Sequence, residues 1–282
     1  MHLDVTELMA FYAKQPGATV RRLLVRRLRS RWPNVSGETV MGLGFATPYL
    51  RVFREEAARI IALMPAGQGV LAWPREGPYQ SALAAEDAYP LPDGSVDKLI
   101  AVHSVEMSER VHSVLREIWR VLAPEGRLLL IVPNRRSVWA GADSTPFGHG
   151  RPYSRSQLER LLTDALFTPL DWSSALYVPP LRYGLIWRSA TAWERVGIRL
   201  WPWFAGVIVV EATKQLHAPI GSQKARARLV RVGAAVANRT RPINRQSENG
   251  ACATERRWPE HPGDSAKQEG RHGPPIGPQD RG

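Results

Sequence analysis

The segment Thr39-Val40-Met41-Gly42-Leu43-Gly44-Phe45-Ala46-Thr47-Pro48-Tyr49-Leu50 constrains this chain more than any other. It reads as a buried strand running into a glycine turn and then a helix. That layout brings backbone N–H groups close to a ligand at the carboxyl edge of a parallel sheet. Apolar periodicity and turn residues predict strands over 39–43, 69–73, 81–84, 98–103 and 127–132, with helices over 49–63 and 108–122. Ser154 is the expected cap of a helix through residue 165, and residues 168–173 and 206–213 supply two more strands. Strands alternating with helices call for a mostly parallel sheet covered on both faces.

Two helices are expected before the sheet, over 4–14 and 19–32, separated by Pro16-Gly17. The second sets Val20, Leu23, Leu24 and Leu28 against Arg21, Arg22, Arg26, Arg27, Arg29 and Arg31. Such a basic amphipathic helix packs its apolar stripe on the domain, or touches anionic membrane or RNA weakly through Arg21–Arg31. The expected organisation is N-terminal helices over 1–34 and the sheet domain over 35–215. An aromatic helical insert falls at 172–204, a basic extension at 216–237, and a polar, Gly- and Pro-rich tail at 238–282, too poor in apolar residues to order itself.

Two further blocks sharpen the reading: Glu86-Asp87-Ala88-Tyr89-Pro90-Leu91-Pro92-Asp93-Gly94-Ser95-Val96-Asp97, and Leu115 through Pro133. With the glycine segment, and in this order, they resemble the class I S-adenosylmethionine-dependent methyltransferases, type 11 branch, over residues 35–214. The resemblance implies an α/β fold with a Rossmann-like, seven-stranded, mostly parallel sheet, helices on both faces and an antiparallel last strand. It also implies S-adenosylmethionine as cofactor and a small, amphipathic or anionic methyl acceptor.

The resemblance carries over to particular residues. Gly42, Leu43, Gly44, Phe45 and Ala46 form the turn beside the donor's amino-acid portion, although Gly42 stands where relatives have an acidic residue. Ala46 and Pro48 replace two later glycines. Trp73, read as the end of the second strand, replaces the carboxylate that accepts from the ribose hydroxyls. Asp87 and the Ala88 amide match the adenine-holding segment. His103, after the fourth strand, is either a general base or a pocket-lining residue. Arg135, His149, Arg151 and Tyr153 lie at the same sheet edge and suit an anionic acceptor. The missing acids keep a second reading open: a catalytically inactive methyltransferase fold serving as a binding or scaffold module.

Composition narrows the partners. The formal charge is +12 with 44% hydrophobic residues, and the single cysteine, Cys252, excludes an internal disulfide framework and a multi-cysteine metal site. No metal is expected. Val102-His103-Ser104-Val105 stands where base-methylating enzymes resemble one another in an acidic/Asn-Pro-Pro-aromatic motif, so base-specific nucleic-acid contact is not expected. No leader or spanning segment is apparent, and a cytoplasmic location is the expectation.

Overall fold

The computed structural model describes residues 3–180 and 184–216. The basic extension and polar tail expected beyond residue 216 fall almost wholly outside them.

Seven strands form one sheet in the order β3-β2-β1-β4-β5-β7-β6. These are β1 (Thr39–Gly44), β2 (Arg59–Pro65), β3 (Ser81–Ala84), β4 (Val96–Val102), β5 (Leu122–Pro133), β6 (Phe167–Ala175) and β7 (Val207–Lys214). The first five pair in parallel, and β7 runs antiparallel to both β5 and β6. Crossovers between parallel strands bring the carboxyl ends of β1 to β5 to one edge, where ligands of such sheets gather. No described helix is long and apolar enough to cross a membrane.

The two faces hold separate apolar cores. One buries β1, β2 and β4 residues such as Val40, Ala62 and Ile100 beneath the N-terminal helices α1 (Val5–Ala13) and α2 (Gln15–Arg31) and the short α3 (Thr47–Leu50). The other buries Met41, Leu99 and Leu130 beneath α4 (Val111–Val121) and α5 (Arg155–Asp164). Because both faces are covered, β1, β4 and β5 read as nearly continuous apolar runs. After β6 come α6 (Gly184–Arg188) and α7 (Ala190–Leu200). Trp172 belongs to β6 rather than to the insert that follows.

Local chemistry explains the helix ends. Asp4 caps α1 by accepting from the Thr6 amide at 2.7 Å. Pro16, expected as a stop, instead sits in the first turn of α2, where its missing N–H costs nothing. A Cβ on Gly17 would lie 2.3 Å from the Phe11 carbonyl, so the tight α1–α2 corner needs this glycine. Ser154 and Gln157 form a reciprocal capping box on α5.

The largest departure from expectation is after β1. The helix expected to run to residue 63 ends at Leu50, followed by one 3-10 turn, and Arg59–Pro65 is β2. The expected strand at 69–73 is irregular loop. The basic helix α2 is also engaged. Arg29 pairs with Glu56, Arg31 with Asp171 at 2.5 Å, and Arg27 lies 4.0 Å from Glu194. Arg21, Arg22 and Arg26 remain exposed.

Candidate functional site at the carboxyl edge of the sheet

Leu43 at the end of β1, Pro65 of β2, Ala84 of β3 and Ser104 just after β4 enclose a crevice that Glu86, Tyr89 and Val114 close from the α4 side. Its free volume is about 10 Å³, at most one water molecule. Gly44 turns the chain here with φ +74°, and a Cβ on it would sit 2.3 Å from the Val102 carbonyl oxygen. Only glycine permits β1 to turn so close to β4. The Phe45 amide then donates to that same carbonyl at 2.9 Å. Gly42 is small for another reason. A Cβ there would meet Leu50 Cδ1 at 2.6 Å and Ala46 Cβ at 2.7 Å. The space an acidic side chain needs is taken by α3 lying against β1.

Trp73 is not at the end of the second strand. β2 ends at Pro65, and Trp73 stands in the loop beyond it, with the Arg54 guanidinium 5.8 Å from its ring centroid. It lines an open basic cleft of about 520 Å³ on the α1–α3 side with Tyr12, Phe45 and Arg51. At the true carboxyl end of β2 the sequence is Met64-Pro65-Ala66, which offers no carboxylate; its side-chain acceptor, Met64 Sδ, takes the Leu71 amide at 3.3 Å.

After β3 the acidic side chain in the crevice is Glu86, which accepts from Ser108 Oγ at 2.5 Å. Asp87 is 36% exposed and pairs with Arg110 at 2.8 Å, outside the crevice. The Ala88 amide closes a tight turn onto the Ala85 carbonyl at 3.4 Å. This turn is clamped by α4. The Glu117 carboxylate accepts from the Tyr89 amide at 3.0 Å, and Arg120 donates to the carbonyls of Tyr89 and Leu91, both at 2.9 Å. Hydrogen bonding from Arg120 holds the Glu117 carboxyl below the usual carboxylate range.

His103 is wholly buried with φ +51°, on the far side of β4's end from the crevice. Its Nε2 lies 2.9 Å from Tyr12 Oη, which lies 2.8 Å from Tyr49 Oη. Burial drives both phenols above their ordinary range, so they stay protonated as donors. His103 Nδ1 faces Glu106 Oε1 at 3.4 Å, yet neither atom has a hydrogen-bond partner. The other Glu106 oxygen accepts from the Ser104 amide at 3.3 Å. Tyr12 also stacks on Phe45 with centroids 5.4 Å apart. The N-terminal helix, the glycine turn and β4 therefore meet in one buried polar chain.

Beyond Glu106 is a cavity of about 230 Å³ lined by His149 and Arg151 with Met107, Ser108 and Glu109. The Arg151 amide donates to the Glu106 carbonyl at 2.7 Å, and His149 Nε2 lies 2.9 Å from the Asp143 carbonyl. Arg135 and Tyr153 line neither this cavity nor the crevice. Arg135 is exposed, and Tyr153 is half-buried in a backbone bridge to Asn134 that continues the β5 edge. Tyr12, Tyr49, Glu86 and Ser104 had no sequence signal as site residues. Tyr12 and Tyr49 sit at ordinary apolar positions of helices, and only the fold brings them to His103.

Residues 40–130 match the family described as "Methyltransferase domain". Over this segment the chain is similar to a methyltransferase domain, and its seven-stranded sheet is Rossmann-like. A curated Mycobacterium tuberculosis protein, "Probable S-adenosylmethionine-dependent methyltransferase Rv3030", is 34% identical over 112 residues, which is 39% of each chain. The chain thus matches well under half the length of its curated relatives. An S-adenosylmethionine-dependent methyltransferase of Archaeoglobus fulgidus has the same fold, with TM-score 0.50, 18% identity, and coverage of 69% of this chain and 94% of that one. A chain from a Haloferax volcanii complex between a methyltransferase activator and a methyltransferase aligns with TM-score 0.55 at 19% identity, over 76% and 98%.

The relatives named above use S-adenosylmethionine, and the crevice suits that donor in chemistry more than in free space. Tyr89 Oη and Ser104 Oγ line the crevice and are buried without hydrogen-bond partners. Each such orphan costs roughly 1–3 kcal/mol, which a polar ligand would recover. Residues that would hold the donor are Ser104, Tyr89, Glu86 and the Gly44 turn. The crevice has about 10 Å³ of free space, less than the donor itself occupies.

Proposed function

We propose that the chain is an S-adenosylmethionine-dependent methyltransferase acting on a small amphipathic or anionic molecule bound in the Glu106–His149–Arg151 cavity. The observation that carries this reading is the row of unpartnered buried polar atoms around β4's carboxyl end. Tyr89 Oη and Ser104 Oγ belong to residues lining the crevice, Glu106 lines the neighbouring cavity, and His103 Nδ1 lies behind it, 3.4 Å from Glu106 Oε1. When bound, the cofactor supplies an electrophilic methyl group. This chain's own residues do the remaining work. Arg151 and His149 orient the acceptor, and Glu106 Oε1 takes the proton from its O–H or N–H as the new bond forms. His103 shares that proton through its Nδ1, held in place by Tyr12.

Radiolabelled donor and a metabolite extract test the reading. Label should transfer to a small acceptor, and Glu106→Gln should abolish transfer while leaving donor binding intact. The closed crevice and the filled space at Gly42 favour a second reading, a fold retained as a binding module. That reading predicts no transfer to any acceptor.

A further inference from the structure

A larger cavity, about 660 Å³, opens between the start of α5, the carboxyl ends of β5 and β6, and the segment after α7. That is the size of a ligand pocket rather than a packing defect. Its lining divides by chemistry. Trp172, Ile198, Trp203 and Ile208 give an apolar side, and Arg27, Arg136 and Arg155 outnumber a single carboxylate, Glu159. Arg155 stacks over Trp172 at 4.9 Å, and among the described residues neither Arg136 nor Arg155 is in an ion pair. Ser173 Oγ lines the same cavity, buried and without a hydrogen-bond partner. At the start of α5 the Arg155 and Ser156 amides, outside the Ser154–Gln157 capping box, add donors.

The rim is apolar. Leu200, Trp203 and Phe204 are 68%, 66% and 57% exposed. This is no loose end: Asn134 Nδ2 donates to the carbonyls of Trp203 at 3.0 Å and Ala205 at 2.9 Å, pinning the segment to β5. Large exposed aromatics held in place beside a half-apolar, half-cationic cavity mark a binding surface.

We propose that this cavity binds a single-chain amphiphile with an anionic head, a phosphate or carboxylate. The head is held by Arg136, Arg155 and the start of α5, and the chain runs along Trp172 and Ile198 toward Trp203. The site is separate from the donor crevice, and its test uses no methyl donor.

The full chain is titrated calorimetrically with octyl phosphate below its micelle concentration, with octanol and inorganic phosphate as chain-only and head-only probes. Octyl phosphate should bind at least tenfold more tightly than either. The double variant Arg136→Glu/Arg155→Glu should lose at least tenfold for octyl phosphate with octanol binding unchanged, which also shows that the variant is folded. Trp203→Ala should weaken octyl phosphate and octanol alike. Equal affinity for octyl phosphate and inorganic phosphate, or no response to charge reversal, overturns the proposal. Flotation with phosphatidylglycerol vesicles separates the sources. Flotation that octyl phosphate competes away assigns the amphiphile to a membrane, and monomer binding without flotation assigns it to free solution. Flotation without monomer binding overturns the cavity assignment.

Discussion

Replacing Gly44 by alanine strikes the turn that brings β1 to the end of β4. Two costs add there. The left-handed backbone at φ +74° is worth roughly 1–2 kcal/mol against any residue with a Cβ. The new methyl would also lie 2.3 Å from the Val102 carbonyl oxygen, 2.9 Å from the His103 carbonyl oxygen and 2.9 Å from Ser104 Cβ. Two of these neighbours are backbone and cannot rotate away, so overpacking adds roughly 1–3 kcal/mol. Gly37 separates the two costs, because its φ is +80° but nothing lies within 4 Å of its Cβ position. Urea denaturation of Gly44→Ala and Gly37→Ala reads the difference. With an m-value of roughly 2 kcal/mol/M, the midpoint should fall by about 1–2.5 M for Gly44→Ala and about 0.5–1 M for Gly37→Ala. Equal shifts would refute the claim that close approach, rather than backbone conformation alone, demands glycine at the turn.

Other perturbations probe the neighbouring parts. Tyr12→Phe removes the hydroxyl between Tyr49 and His103 Nε2, and should cost roughly 1–3 kcal/mol of stability in a chemical melt because buried partners are left unpaired. A loss under 0.5 kcal/mol would show that water or another group replaces it. Arg120→Ala frees the carbonyls of Tyr89 and Leu91, and hydrogen exchange across residues 86–93 should speed up severalfold while β4 and β5 stay protected. The Glu117 carboxyl is depressed in the folded chain, so its contribution is present above its unfolded value of about 4.3. It is lost as pH falls through the lower folded value, and Glu117→Gln should flatten the stability–pH curve in that acidic window. An unchanged slope would show that the Arg120 contact does not form in solution.

How far the sequence could be read depended on what each signal encodes. β1, β4 and the capped α5 were legible because a buried strand beside a glycine turn, and a Ser154–Gln157 box, are local patterns. β2 was not. Arg59–Pro65 is apolar without alternation, since β1 and β3 flank it and both faces are covered. After Glu55-Glu56-Ala57-Ala58, all good helix formers, it reads equally well as the end of a helix. That misplacement moved Trp73 to a strand end it does not occupy.

The site divides the same way. His103 and the glycine turn could be placed from their position after strands, whereas the Tyr12–His103 bond joins residues 91 apart in the chain and exists only through tertiary packing. The resemblance pointed to Asp87, but the turn geometry puts its neighbour Glu86 into the crevice. Nor could spacing show that Gly42 is small because α3 lies against it.

The most direct measurement is calorimetric titration of the chain with S-adenosylhomocysteine, in wild type and in Ser104→Val. A saturable one-to-one heat, weakened severalfold by removing the orphaned hydroxyl, is the predicted result. Silence at millimolar ligand in the wild type, or binding indifferent to Ser104, would contradict the placement of the donor beside the Gly44 turn.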